Sequence, residues 1–150
     1  MSLTRLEKIS HYSVIIIALS AVVVSVMQTR IQQDHNKLTV QPYLHSSLGQ
    51  SFDDDIVSVY VVNDGFGPAI IERITFTYNN KTYNSLEEYL NASGEIKNRK
   101  GSYNYSKNSV FKSNQQNLLV QLKGMKIRNV KVDIEYKSIY NEKGTYSFTF

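Results

Sequence analysis

The sequence contains one long interval in which every charged side chain is positive. Between Glu95 and Asp133 there are nine lysines and arginines and no acid, whereas the remaining 8 of the 17 basic residues face 13 acids. Such asymmetry favours an anionic partner, for example a nucleotide, a nucleic acid or lipid headgroups. The basic residues of the interval are Lys97, Arg99, Lys100, Lys107, Lys112, Lys123, Lys126, Arg128 and Lys131.

Aromatic and amide side chains lie among these cations. Tyr103 and Tyr105 alternate, so on a strand they would share one face. A base stacked on an aromatic ring gains about 1–3 kcal/mol, and basic side chains add attraction for phosphate. The alternative is a lysine-decorated loop that keeps edge strands from pairing. The predicted ligand-binding residues are Lys97, Arg99, Lys100, Tyr103, Tyr105, Lys107, Lys112 and Arg128.

The residue types that carry catalysis or bind metals form no recognisable arrangement. His11, His35 and His45 are scattered along the chain, and the three adjacent carboxylates at 53–55 lack the spacing of a calcium-binding loop. Cysteine is absent, which excludes disulfides, thiolate zinc sites and a cysteine nucleophile. We therefore expect neither enzymatic activity nor a metal or cofactor.

Residues 13–27 form an apolar run that is typical of a membrane-spanning helix. Nine of them are Ile, Leu or Val, and Lys8 and Arg30 bracket 21 residues without a formal charge. In a helix this length spans about 30 Å, the thickness of one hydrocarbon core. A cleaved signal peptide is the alternative, because Ala18-Leu19-Ser20 resembles a cleavage site, but the apolar run continues to Met27.

The composition of this span predicts association between copies of the chain. Ala18, Ala21 and Ser25 place small side chains on one side of the helix, which lets helix backbones approach closely and favours a homo-oligomer. Tyr12 lies where an aromatic residue belongs at a membrane interface. The residues predicted to be characteristic of the membrane span are Tyr12, Ile15, Ile16, Ala18, Ala21, Ser25 and Met27.

The charges that flank the span do not decide its orientation. Arg5 and Lys8 precede it, and Arg30 and Lys37 follow it, so the positive-inside count is a tie. We expect the protein to be located in the inner membrane of a cell. If it is a receptor for an intracellular ligand, its β-domain is expected to lie in the cytoplasm.

Residues 38–150 are predicted to form a soluble β-domain after the anchor and stalk of residues 1–37. Alternating apolar residues and turn signals about every ten residues indicate an antiparallel sandwich or barrel of about seven strands with one short helix. The predicted strands are 38–45, 55–63, 69–78, a return strand to 83, 118–124, 129–140 and 145–150, and the helix is 85–94. The predicted core comprises Ile56 or Val57, Val59, Val61, Ile70, Ile74, Phe76, Leu119, Val130, Val132, Ile134 and Phe148.

A turn at residues 63–69 has the pattern Asn-x-Gly-x-Gly-Pro-Ala, in which glycine is predicted to supply positive φ. With the segment 37–44 after the span, it resembles small single-pass bacterial membrane proteins that carry a β-domain. The resemblance implies the fold and no activity. The turn leads into a strand and lacks a P-loop lysine, so a phosphate-binding role is not favoured.

Three functions are compatible with these features. In size, anchor and charge the protein resembles the membrane-anchored cyclic-oligonucleotide effectors of bacterial antiviral defence, including those of type III CRISPR systems. That resemblance implies a basic β-domain that binds a nucleotide second messenger and an oligomeric helix bundle that disturbs the membrane. The alternatives are a structural or protein-interaction domain and a surface for anionic lipids. Double-stranded DNA is not an expected partner.

Overall fold

The computed structural model describes residues 4–51, 54–124 and 129–150 of the 150-residue chain, without the side chains of residues 6–8. The side chain of Lys8 and the whole of Asp53, Lys126 and Arg128, which appear in the sequence predictions, therefore lie outside the described residues. The chain divides into two compact units, Met1–Leu38 and Thr39–Phe150.

The first unit is a single long helix. Helix α1 comprises Arg5–Thr39, 35 residues, and is about 50 Å long. Among the described residues it is the one helix long and apolar enough to cross a membrane. The hydroxyls of Ser13, Ser20 and Thr29 donate hydrogen bonds to carbonyl oxygens one turn earlier, at 2.8–2.9 Å. These polar groups are thus satisfied within the helix, as a lipid environment requires.

The second unit consists of two antiparallel sheets. Sheet A has the strand order β1-β2-β7-β5, and sheet B has the order β4-β3-β8-β9 with β6 also paired to β3. The fold class expected from the sequence is confirmed, with nine strands in the described part. Their bounds are β1 Leu44–Ser51, β2 Ile56–Asn63, β3 Ala69–Tyr78, β4 Lys81–Tyr83, β5 Arg99–Ser102, β6 Val110–Phe111, β7 Gln115–Lys123, β8 Lys131–Lys137 and β9 Lys143–Thr149.

The prediction of a strand at 38–45 is wrong for most of this segment. Helix α1 continues to Thr39, and β1 begins only at Leu44, after Pro42. Proline has no backbone N–H and fixes φ, so it separates the helix from the strand instead of lying within the strand.

One apolar core lies between the two sheets. Val59 and Val61 of sheet A and Phe76, Val132 and Ile134 of sheet B are all buried in it. The prediction of Ile70 as a core residue is wrong, because a β-bulge between Ile71 and Arg73 changes the alternation and buries Ile71 and Ile74. Ile56, Val57 and Phe148 are only half-buried, and the aromatic ring of Phe150 is buried at the end of the chain.

A short helix covers the end of sheet B. Helix α2 comprises Leu86–Ser93 and buries Tyr89 and Leu90 in the core. The Ser85 hydroxyl accepts a hydrogen bond from the Glu88 N–H at 3.2 Å, and Gly94 ends the helix with φ of 77°. The helix predicted at 85–94 is confirmed, and it begins and ends at a capping serine and a glycine. A 3₁₀ turn, Glu95–Asn98, then leads into β5.

Candidate anion-binding surface

The first part of the basic interval, residues 96–111, is a crossover from one sheet to the other. It begins in the 3₁₀ turn, forms the border strand β5 of sheet A, and then reaches β6, which pairs with β3 in sheet B. Residues 103–109 between these strands have no strand structure. The strand that would have placed Tyr103 and Tyr105 on one face is therefore absent from this segment.

Tyr105 is held in place by the fold. Its hydroxyl donates a hydrogen bond to the Leu118 carbonyl oxygen at 2.9 Å, and its ring packs edge-on against Phe111 at 4.7 Å. Burial, and to a smaller extent the neighbouring Tyr103, raise the pKa of Tyr105 to about 12. The Tyr103 ring stacks on it at 6.2 Å and is 63% exposed. Of the two tyrosines, only Tyr103 has substantial area available to a ligand.

The cleft beside these tyrosines is too small for a nucleotide base. It has a volume of about 20 Å³ and lies between Asn84 and Leu86 on one side and Tyr103 and Tyr105 on the other. A volume of this size holds about one water molecule, whereas sites for small organic ligands measure about 300–1,000 Å³. A base could contact Tyr103 from outside, but could not insert between the two rings and helix α2.

The predicted ligand-binding cations divide into separate positions. Arg99 pairs with Leu122 near the end of β7, whereas the Lys112 N–H donates a hydrogen bond to the side chain of Gln115 at the start of β7. Leu122 and Gln115 are roughly 23 Å apart along the strand. Lys107 lies in the loop between β5 and β6, and Arg128 lies outside the described residues.

Four cations nevertheless lie close together along the backbone at one end of sheet A. Lys97, Arg99, Lys100 and Lys123 all lie within two residues of the Arg99–Leu122 pair, and we call them the basic edge. All four are exposed, and none has an ion pair within residues 4–51, 54–124 and 129–150. Lys123 was not among the predicted ligand-binding residues. Only the pairing of β5 with β7 brings it to Arg99, and local sequence does not encode that pairing.

An acidic residue borders the basic edge, although none occurs within the basic interval. The Gly124 N–H donates a hydrogen bond to the Asp55 carbonyl oxygen at 2.8 Å, which holds the turn before β2 beside the end of β7. A β-carbon added to Gly124 would lie 3.5 Å from the Asp55 carboxylate. The surface is therefore basic with one acidic border.

A family model described as a domain of unknown function (DUF8453) matches residues 9–150. The chain belongs to this family. No match is found among curated proteins. Because the matched region includes the apolar helix and the β-domain, both belong to the DUF8453 architecture.

The Asn-x-Gly-x-Gly-Pro-Ala turn of this DUF8453 domain is a structural clamp. The buried Asn63 side chain accepts hydrogen bonds from the Tyr43 and Gly65 N–H groups, both at 3.1 Å. It donates to the Gly67 carbonyl oxygen at 2.8 Å and the Phe111 carbonyl oxygen at 3.0 Å. All four hydrogen-bonding positions of the amide are used, which leaves none for a ligand.

The two glycines of this turn are needed for space, and the prediction that they supply positive φ is wrong. Neither Gly65 nor Gly67 has positive φ. A β-carbon at Gly67 would lie 2.6 Å from the Val40 carbonyl carbon and closer still to its oxygen, and one at Gly65 would lie 2.6 Å from the α-carbon of Pro42. The segment 40–43 crosses directly over the turn, so no side chain fits there.

Proposed function

We propose that the chain is a non-enzymatic, membrane-anchored receptor whose β-domain binds an anionic nucleotide at the basic edge. The observation that supports this proposal is that four exposed cations lie within two residues of the Arg99–Leu122 pair, and that none of them has an ion pair within residues 4–51, 54–124 and 129–150. Hydrogen bonds from lysine and arginine to phosphate are about twice as strong as those between neutral groups. Arg99 can also bind two phosphate oxygens at once through its guanidinium group.

The membrane anchor would allow ligand binding to affect the membrane. The apolar helix α1 would anchor the protein in the inner membrane, and the β-domain with its ligand site would lie in the cytoplasm. The small side chains of Ala18, Ala21 and Ser25 would favour a homo-oligomeric bundle of these helices. A ligand with several phosphates could bind the basic edges of two copies and change how their helices pack. The resemblance to membrane-anchored antiviral effectors makes a cyclic oligonucleotide the first ligand to test.

The proposal is tested with the full chain in phosphatidylcholine nanodiscs. Calorimetric titration with cyclic tetra-adenylate is expected to show saturable binding. Changing both Arg99 and Lys100 to alanine should weaken it tenfold or more, since each phosphate contact contributes about 1 kcal/mol. Lys143→Ala removes an exposed lysine from β9 in sheet B and serves as the matched control.

Two outcomes would contradict the nucleotide proposal. If cyclic tetra-adenylate, cyclic di-GMP and AMP all fail to bind, the protein is not a receptor for these nucleotides. If the chain binds only vesicles that contain phosphatidylserine, and the double variant loses that binding, the basic edge is a lipid-binding surface.

A further inference from the structure

The outward face of sheet A differs in character from that of sheet B. The strands β1, β2, β5 and β7 contain no aspartate or glutamate. On β8 of sheet B, by contrast, Lys131 contacts Asp133 at 2.8 Å and Lys137 contacts Glu72 at 3.8 Å. Sheet B thus presents paired charges of both signs to solvent, whereas sheet A presents a face without acids.

Alternation along β2 identifies the side chains on this outward face. Val59 and Val61 are buried in the core, so Ser58 and Tyr60 point the other way. Across β7, Ser58 pairs with Gln121, and Gln121 in turn pairs with Gly101 of β5. On the other side Ser58 pairs with Gly49 of β1.

The ring of Tyr60 lies along the sheet. A β-carbon added at Gly49 would be 3.2 Å from Cε2 of Tyr60 and 3.7 Å from the Ser58 β-carbon. The ring therefore covers the glycine of the neighbouring strand, next to the buried Ser58. Tyr60 is itself half-buried, so part of its area faces solvent. A ring in this position provides a platform for stacking.

A polar group lies beside this platform. The Gln121 Nε2 donates a hydrogen bond to the Ser58 hydroxyl at 3.0 Å. A β-carbon at Gly101 would be 3.4 Å from Gln121 Oε1, so the carboxamide lies over the glycine of β5. The amide retains hydrogen-bonding capacity beyond the bond to Ser58, which would let it bind the edge of a heterocyclic base.

The basic edge lies on the phosphate side of this arrangement. Lys123 is two residues from Gln121 on β7, a separation of about 7 Å along the strand that the ribose of one nucleotide can bridge. Resting on the nucleotide-binding function proposed above, we infer that the outward face of sheet A binds the base. The base stacks on Tyr60 and bonds to Gln121, while Lys123, on the same face of β7 as Gln121, holds the phosphate.

Acidic residues lie at the borders of this face. His45 Nδ1 lies 3.0 Å from the Asp64 carboxylate at one end, and Glu95 before β5 is buried and accepts a hydrogen bond from Asn98 at 2.8 Å. Asp55 borders the other end, beside Gly124. Its repulsion of phosphate would keep the ligand away from the turn before β2.

The test compares two tyrosines in the full chain in nanodiscs. Tyr60→Leu keeps an apolar cover on Gly49 and removes the aromatic ring. It should weaken AMP binding by about 5- to 150-fold, and leave ribose 5-phosphate binding unchanged, because only the base contacts the ring. Tyr60→Phe should bind AMP as the wild type does. Tyr103→Leu, which removes the exposed tyrosine predicted from sequence, is the control and should have little effect.

The outcomes separate this inference from the function on which it rests. If Tyr103→Leu weakens AMP binding and Tyr60→Leu does not, the face of sheet A is not the base site, although the receptor proposal stands. If the wild-type protein binds cyclic tetra-adenylate or cyclic di-GMP but neither AMP nor ribose 5-phosphate, this inference fails and the receptor proposal stands. If it binds none of the four, both fail. Photo-crosslinking of the wild-type chain with 8-azido-AMP needs no variant to fold. Label on residues 56–62 or 116–123 supports the inference, and label confined to 103–105 overturns it.

Discussion

The side-chain amide of Asn63 donates a hydrogen bond to the carbonyl oxygen of Phe111, 48 residues later, at 3.0 Å. Asn63 ends β2 in sheet A, and Phe111 belongs to β6, which pairs with β3 in sheet B. The bond therefore joins the two sheets at the point where the basic interval returns to the core. It places the middle of that interval close to the turn 63–69, away from the basic edge.

Asn63→Asp is expected to destabilise the β-domain strongly. The aspartate has no N–H donors for the Gly67 and Phe111 carbonyl oxygens, and it introduces a carboxylate where the asparagine is fully buried. Each buried unsatisfied group costs about 1–3 kcal/mol, so the free energy of unfolding should fall by about 3 kcal/mol or more. Urea denaturation followed by near-ultraviolet circular dichroism measures it. Asn80→Asp, in an exposed turn, should change it by less than about 0.5 kcal/mol. Equal effects of the two changes would show that the clamp contributes little.

Gly67→Ala is expected to prevent the segment 40–43 from packing over the turn. The new methyl group would overlap the Val40 carbonyl, which belongs to the backbone and cannot move aside as a side chain would. We expect a cost of about 3 kcal/mol or more, at the upper end of overpacking effects. Gly101→Ala is the matched control, because its β-carbon would make ordinary contacts of 3.4–3.8 Å. Comparison of the two melting temperatures checks this, and similar values would contradict the close approach.

Local patterns in the sequence were sufficient to predict the parts of the fold that depend on neighbouring residues. The apolar run predicts the long helix, β-branched alternation predicts β2, β3 and β8, and Asn79-Asn80 predicts the turn between β3 and β4. Both asparagines adopt positive φ, 50° and 61°, as a tight hairpin turn requires. Ser85 and Gly94 likewise mark the ends of helix α2.

The features that sequence could not provide depend on distant contacts. The bulge at Glu72 inverts which isoleucine of β3 is buried, and no local signal marks it. Glycine is required at positions 65 and 67 because the backbone of residues 40–43, more than twenty residues earlier in the chain, packs against them. The spacing of the cations along the chain suggested one surface, but pairing of β5 with β7 divides them and adds Lys123. Tyr60 was predicted only as part of a strand, because its platform depends on Gly49 of the adjacent strand.

Tyr105→Phe is expected to alter stability in a pH-dependent way. Burial and Tyr103 raise the pKa of Tyr105 to about 12 from an ordinary value of 10.0. The folded state therefore binds the proton more tightly, and this stabilisation is complete below pH 10 and lost between about pH 10 and 12. At pH 7 the variant should lose about 0.5–1.5 kcal/mol with the hydrogen bond to Leu118. The difference should shrink between pH 10 and 12, as measured by urea denaturation. Tyr140→Phe, in an exposed loop, is the control, and a constant difference across this range would contradict the pKa shift.

Asp133→Asn should have the opposite pH dependence on the outward face of sheet B. Burial raises the pKa of Asp133, but hydrogen bonds from Lys131 and Ser147 and the charge of Lys131 outweigh burial and lower the pKa below 3.8. Its contribution is therefore present above about pH 4 and is lost as the pH falls below that value. For an exposed pair we expect about 0.2–1 kcal/mol at pH 7. Denaturation at pH 7 and pH 2.5 checks this against Glu142→Gln. A loss that persists at pH 2.5 would show that packing, not charge, is responsible.

Lys123→Ala and Lys112→Ala test whether only the cations near the Arg99–Leu122 pair bind the ligand. Both lysines are exposed and both belong to the basic interval, but only Lys123 lies beside the Arg99–Leu122 pair. Lys123→Ala should weaken binding of cyclic tetra-adenylate about fivefold and reduce its salt dependence, because one phosphate contact is lost. Lys112→Ala should change the affinity by less than twofold, since Lys112 is bonded to Gln115 at the start of β7, roughly 23 Å along the strand from Leu122. The measurement is calorimetric titration of the nanodisc-bound chain at two salt concentrations. Equal losses would mean that the ligand responds to the total charge of the interval, and that pairing of β5 with β7 does not define the site.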